Sequence, residues 1–243
     1  MKPEGDSSHS LEGDFATKPP PGDTGTGTDP VGISTVVLIH GVLMSGHEMS
    51  LLRSRLQRRG FKVRQFRYHS RRQTPVENAR FLSETLAKWR LKGSVHFVAH
   101  SLGGVVLAHF LAQYQWHCPG RVVLLGGPLR GSRVAEDLSH KGWGRWLLGR
   151  SLVDGLLEGA PSQWRPDQTL MIAGKWSFGL ATLLPATRLC GPNDGVVRLC
   201  ETEDAAISHR LTLPANHMLL LFSRRVEKAI ADFLTTGSIE RVA

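Results

Sequence analysis

Residues 95–110, VHFVAHSLGGVVLAHF, join an apolar run of strand length to a helical stretch through Ala99-His100-Ser101-Leu102-Gly103. Small residues two before and two after Ser101 let a strand and a helix approach closely, so the chain turns sharply at the serine. Its hydroxyl then projects above the carboxyl end of the strand, beside the helix N-terminus. A lone string of this kind also arises as a serine helix cap. The strand before it and the helix after it favour the sharp turn.

From Ser34 onward the same alternation repeats. Apolar runs of strand length occur at 35–39, 61–66, 95–99, 121–125, 169–173 and 211–213, rich in Val, Leu and Ile without strict polar alternation. That pattern suits parallel strands buried on both faces. Helical periodicity occupies 47–59, 76–91, 102–115 and 218–234, with Pro75 at a helix start and Gly60 and Gly93 at helix ends. The expected fold class is therefore α/β, a mostly parallel central sheet flanked by helices. Residues 132–166 break the rhythm with Trp143, Trp146, Leu147, Leu148 and Trp164 among Gly and Arg, and are expected to form a small helical cover.

With 243 residues the chain is long enough for one large domain with a full core. No run of about 18 uncharged apolar residues exists to cross a bilayer. Residues 1–31 are rich in Gly, Pro, Asp, Thr and Ser and read as a disordered acidic tail, leaving 32–243 as the domain. The first 30 residues carry two basic and six acidic side chains, a net −4 against +9 for the whole, so the remainder is +13. The basic residues lie on helix-like stretches without a basic-aromatic motif, which argues for a solvated face and against a nucleic-acid partner. The three cysteines, Cys118, Cys190 and Cys200, have no metal-ligand spacing and an odd count, so free thiols and no metal are expected. The N-terminus lacks the apolar core of a secretory signal, which points to a cytoplasmic location.

Three further segments complete a constellation. Val36-Val37-Leu38-Ile39-His40-Gly41-Val42 is a strand ending in His-Gly, where a glycine lets the next amide point inward. The Val42 amide and that of Leu102, the residue after the serine, are candidate oxyanion donors. His40 reads as structural. Asp194 sits in the turn Gly191-Pro192-Asn193-Asp194-Gly195, a sequence that elsewhere is only a turn. His217 follows the last strand in Leu213-Pro214-Ala215-Asn216-His217, where one ring nitrogen can take the serine proton and the other can donate to Asp194. His209 is the competing base and Asp204 the competing acid.

The chain order Ser101, Asp194, His217, together with VVLIHGV, VAHSLGG, VVLLGGPLRGS, NDGVV and NHMLLL, resembles α/β-hydrolases of the compact bacterial lipase and esterase type. It is similar to the lipase-like enzymes related to GPI inositol-deacylase. The resemblance implies a serine hydrolase of carboxylic esters, acting on a small-molecule or lipid ester with Ser101, His217 and Asp194 as triad and without a cofactor. One departure stands out: Gly127-Pro128-Leu129-Arg130-Gly131-Ser132 replaces the family's Thr-Pro-His-x-Gly-Ser type of loop beside the acyl site. Leu129 is thereby a candidate substrate contact, and Trp143, Trp146 and Leu147 of the cover are others. Lys141, Arg145 and Arg150 flank them, a composition suited to touching an anionic lipid surface. An acyltransferase with the same triad and a hydrolase-fold binding protein without turnover remain open alternatives.

Overall fold

The computed structural model of this protein describes residues 34–116, 120–178 and 189–239. The acidic N-terminal stretch, His117, Cys118 and residues 179–188 lie outside the described residues. Six strands form one sheet: β1 (Thr35–Ile39), β2 (Lys62–Phe66), β3 (Val95–His100), β4 (Val122–Leu125), β5 (Thr169–Gly174) and β6 (His209–Leu213). Their order is β2-β1-β3-β4-β5-β6 and every pairing is parallel. All carboxyl ends therefore reach the same edge.

The alternation along β1 shows why both faces are covered. Val36 and Leu38 point to one face, where they meet Leu52 and Leu56 of α1 (Ser50–Arg58), and Val226, Ile230 and Phe233 of a C-terminal helix. Val37 and Ile39 point to the other, packed with Leu82 and Leu86 of α2 (Pro75–Trp89) and Val105, Val106 and Phe110 of α3 (Leu102–Gln113). Each such side chain, fully buried, contributes about 1.5–3 kcal/mol of apolar transfer free energy. The chain leaves β1 for β2 on one side and then crosses to β3 on the other. The crevice above the carboxyl ends of β1 and β3 is thus a topological switch point, where open α/β sheets bind ligands.

Helix boundaries differ from the periodicity in instructive ways. The 47–59 stretch opens with a 3-10 turn at His47–Met49 before α1. The helix α2 starts at Pro75 because Thr74 and Glu77 form a reciprocal capping box, each accepting from the other's backbone amide, at 3.2 and 2.8 Å. The expected 218–234 helix is two, α6 (Leu219–Phe222) and α7 (Arg224–Thr236), because Ser223 leaves helical geometry to cap α7 through the Val226 amide. The 132–166 insertion carries α4 (Arg133–Ser139) and α5 (Gly142–Leu148), then a 3-10 turn at Gly149–Leu152, and continues as turns and irregular chain through 153–165. Val134, Leu138, Leu148, Leu152, Leu156 and Trp164 anchor it to the core. No described helix is long and apolar enough to cross a membrane.

Candidate active site

Ser101 occupies the turn between β3 and α3 with φ 54° and ψ −124°, a left-handed conformation for a non-glycine residue. Such a backbone costs on the order of 1–3 kcal/mol and persists where the surroundings over-determine it. Here they do. The Ser101 amide donates to Leu125 O at 2.9 Å, and its carbonyl accepts from Gly104 at 2.9 Å. A Cβ on Gly103 would lie 2.6 Å from the carbonyl oxygens of Ile39 and His40. The glycine two after the serine is therefore what lets α3 start this close to β1.

The loop after β1 is braced by His40. Its Nδ1 donates to Gly41 O at 2.9 Å, which leaves Nε2 to accept from the Tyr68 amide at 3.4 Å. The Tyr68 hydroxyl donates to His40 O at 2.7 Å, and the two rings stack with centroids 4.3 Å apart. Burial pushes the His40 pKa down, which favours this neutral form. Gly41 passes close to the serine: a Cβ there would lie 3.1 Å from Ser101 Cβ. The amides of Val42 and Leu102 donate no hydrogen bond within the described chain.

Asp194 and His217 come together although 23 positions apart. Asp194 Oδ2 accepts from His217 Nδ1 at 2.7 Å, and the His217 amide donates to Asp194 O at 2.9 Å. The other carboxylate oxygen, Oδ1, accepts from the amides of Val196 at 3.0 Å and Val197 at 2.7 Å. Asn193 holds the turn by accepting from the Gly195 amide at 3.0 Å. Burial opposes the charge on Asp194, yet His217 and the two amides outweigh it and hold the carboxyl below its ordinary value. The carboxylate stays ionised and faces the imidazole.

Two residues that sequence reasoning passed over complete the support. His100, the last residue of β3, is fully buried; its Nε2 donates to His217 O at 3.1 Å and its ring lies 4.6 Å from that of His217. Burial and the neighbouring His217 push its pKa down to about 3, so it stays neutral. Gly126, just after β4, has φ +58°, and a Cβ there would lie 3.1 Å from both Asp194 Oδ2 and His217 Nδ1. The only signal for Gly126 in the sequence was the Gly-Gly pair ending the fourth apolar run.

Ser101 and His217 line one cavity of about 220 Å³ with Gly41, Val42, Met44 and Met218. No hydrogen bond joins the serine hydroxyl to His217 within the described chain. The remaining expected contacts lie elsewhere. Leu129 is buried in the core and its carbonyl accepts from Ala160. Trp143 and Trp146 are exposed, at 50% and 71%, and Trp143, Leu147 and Leu129 do not line the Ser101 cavity. Trp146 lines an adjoining one. His209 lies inside β6, its ring against Phe233, and Asp204 is engaged by Ser162 and the Trp164 indole at 2.8 and 3.1 Å. Neither belongs to the site. Cys190 and Cys200 are free thiols.

No family model and no curated protein matches the chain. Solved structures do. The chain is similar to the lipase BlEst2 of Bacillus licheniformis in its mature form, with 20% identity over 84% of this chain and 92% of that one and a TM-score of 0.65. It is also similar to the carboxylesterase CesB of Bacillus subtilis, with 16% identity over 86% of each chain and a TM-score of 0.53. The phospholipase PlaB of Legionella pneumophila matches at 18% identity over 70% of this chain and 44% of that one, with a TM-score of 0.54. Parallel strands in the order β2-β1-β3-β4-β5-β6, helices on both faces and helical insertions together give this chain the α/β-hydrolase fold.

Proposed function

We propose that this chain is a serine hydrolase that cleaves carboxylic esters through an acyl-enzyme. The observation that carries the reading is the buried Asp194–His217 pair opening into the same small cavity as a serine held at a strained strand-to-helix turn. In this reading Ser101 Oγ attacks the ester carbonyl carbon while its proton passes to His217 Nε2. Asp194 holds the imidazole by its Nδ1 and stabilises the imidazolium that forms. The Val42 and Leu102 amides receive the oxyanion, a task for fixed donors in a site with little water. The carbon–oxygen bond to the alcohol then breaks as His217 returns the proton to it. Water repeats the sequence on the acyl-enzyme and frees Ser101.

The likeness to a lipase, a carboxylesterase and a phospholipase supports an ester or lipid substrate. The cavity favours small acyl groups, since about 220 Å³ is below the roughly 300–1,000 Å³ of sites for drug-sized ligands. Turnover of p-nitrophenyl esters from acetate to palmitate tests the reading, with acetate to hexanoate expected to be preferred. Absence of turnover across the series, with no labelling by a fluorophosphonate, would contradict it.

A further inference from the structure

The cavity that holds Ser101 shares a wall with a second one. Leu43 and Met44 line both, and beyond them a cavity of about 550 Å³ is bordered by Ser70, Arg71, Arg72 and Trp146. The chemistry changes across that wall. On the Ser101 side Val42, Met44 and Met218 are among the lining residues, whereas the second cavity is lined by two arginines and by no acidic residue.

Neither arginine is neutralised. No ion pair involves Arg71 or Arg72 among the described residues. Glu77, at the start of α2, is committed to Arg150 at 2.9 Å and to the Thr74 amide at 2.8 Å. Arg71 is held in place: its Nη2 donates to Trp146 O at 2.8 Å, and its guanidinium lies 4.7 Å from the centroid of the Trp146 ring. Its Nε is buried without an acceptor among the described residues. Arg72 is exposed, and among the described residues only its backbone amide is engaged, donating to His69 O at 3.2 Å. One guanidinium is thus pre-positioned and the other is free to close on a ligand. A guanidinium offers several donors in a planar fork that matches the oxygens of phosphate and carboxylate.

We propose that this second cavity is an anion subsite, and that the ester cleaved at Ser101 carries a phosphate or carboxylate group that Arg71 and Arg72 hold. This rests on Ser101 being the nucleophile. The ester carbonyl sits in the apolar cavity, and the charged group extends past Leu43 and Met44 into the basic one. The subsite selects among esters by what lies beyond the acyl group. It also explains why Trp146 of the insertion packs on the 68–73 loop: it fixes Arg71.

The test compares three soluble hexanoyl esters, 1-hexanoyl-glycerol, 1-hexanoyl-glycerol-3-phosphate and O-hexanoyl-glycolate. At low ionic strength kcat/KM for the phosphate or carboxylate ester is expected to exceed that for the neutral one by about tenfold or more, as for a charge-assisted contact. The R71Q/R72Q variant should bring that ratio close to one. Because Arg71 braces Trp146, R72Q alone guards against a folding defect: it should lower the ratio while the melting temperature holds. Which anionic ester is preferred tells phosphate from carboxylate. A wild-type ratio near one, or a ratio unchanged in a folded R72Q, overturns the subsite. Calorimetric binding to Ser101→Ala reads the subsite without turnover, with the phosphate ester expected to bind tighter than the neutral ester and to lose that advantage when R72Q is added. Equal binding of the two would overturn the subsite by itself, whereas cleavage by Ser101→Ala would instead refute Ser101 as nucleophile.

Discussion

His217 is tied to Asp194 twice, side chain to side chain at 2.7 Å and backbone to backbone at 2.9 Å. The second bond fixes where the imidazole starts and the first engages its Nδ1, so in the proposed mechanism Nε2 is the nitrogen left to act as the base. Asp194→Asn keeps the shape and offers an amide in place of a carboxylate, which favours the wrong tautomer. Its kcat is expected to fall by about 10⁴, on the scale seen for such a change in other triads. Asp204→Asn should leave kcat within a few-fold, because Asp204 holds Ser162 and Trp164 instead. Comparing ester turnover of the two variants checks the choice of acid.

Gly126 makes a sharper test of geometry. Its φ of +58° and the 3.1 Å approach to both Asp194 Oδ2 and His217 Nδ1 mean that a methyl group there would press on the pair and shift it by a few tenths of an ångström. Gly126→Ala is expected to lower kcat by at least about tenfold, since small displacements of a catalytic group are costly, while stability falls only by about 1 kcal/mol from the strained φ. Parallel measurement of turnover and of the melting curve separates the two. Full activity would show that the His–Asp pair tolerates displacement.

The elements that sequence could reveal are those set locally. The apolar runs of β1, β3, β4 and β5 declare themselves because parallel strands buried on both faces need them, and Ser101 is legible because its turn demands small neighbours at fixed offsets. Asp194 stands out by its turn sequence and its place between Ser101 and His217 in the chain, and His217 by following the last apolar run. What stayed hidden depends on partners far away in the chain: His100 beside His217, Gly126 against the His–Asp pair, and Met44 and Met218 lining one cavity. Nothing in the tryptophans of 132–166 indicated that Trp146 would turn toward Arg71 rather than toward Ser101. The break at Ser223 was hidden as well, because the apolar pattern continues through it.

Acyl selectivity should respond to the residues that line the Ser101 cavity. Each methylene buried is worth about 0.8 kcal/mol, so narrowing the cavity with Met218→Trp is expected to lower kcat/KM for hexanoate several-fold more than for acetate. Trp143→Ala and Leu147→Ala, which alter residues outside that cavity, should leave the hexanoate-to-acetate ratio unchanged. A ratio that moved with Trp143 but not with Met218 would place the acyl group under the insertion.

Two buried histidines make stability depend on pH. His96 is pushed down to about 4, first by burial and then by Arg121, and His100 is pushed down to about 3 by burial and His217. Both titrate near 6.5 when unfolded, so between about pH 6.5 and 4 the unfolded chain binds protons that the folded one does not. Their contribution is present above about pH 6.5 and is lost as pH falls, with a slope of up to about 1.4 kcal/mol per pH unit for each. Urea unfolding of wild type and His96→Gln at pH 7, 6 and 5 checks this. The variant should lose stability less steeply, and a flat wild-type curve over that range would contradict the account.

The most direct test of the catalytic assignment is to treat the protein with a fluorophosphonate and locate the adduct by peptide mass mapping. A serine activated by His217 and Asp194 should be modified stoichiometrically at Ser101, with no labelling in Ser101→Ala and strongly slowed labelling in His217→Ala. An unmodified protein, an adduct on another residue, or labelling that His217→Ala leaves as fast as before would contradict it.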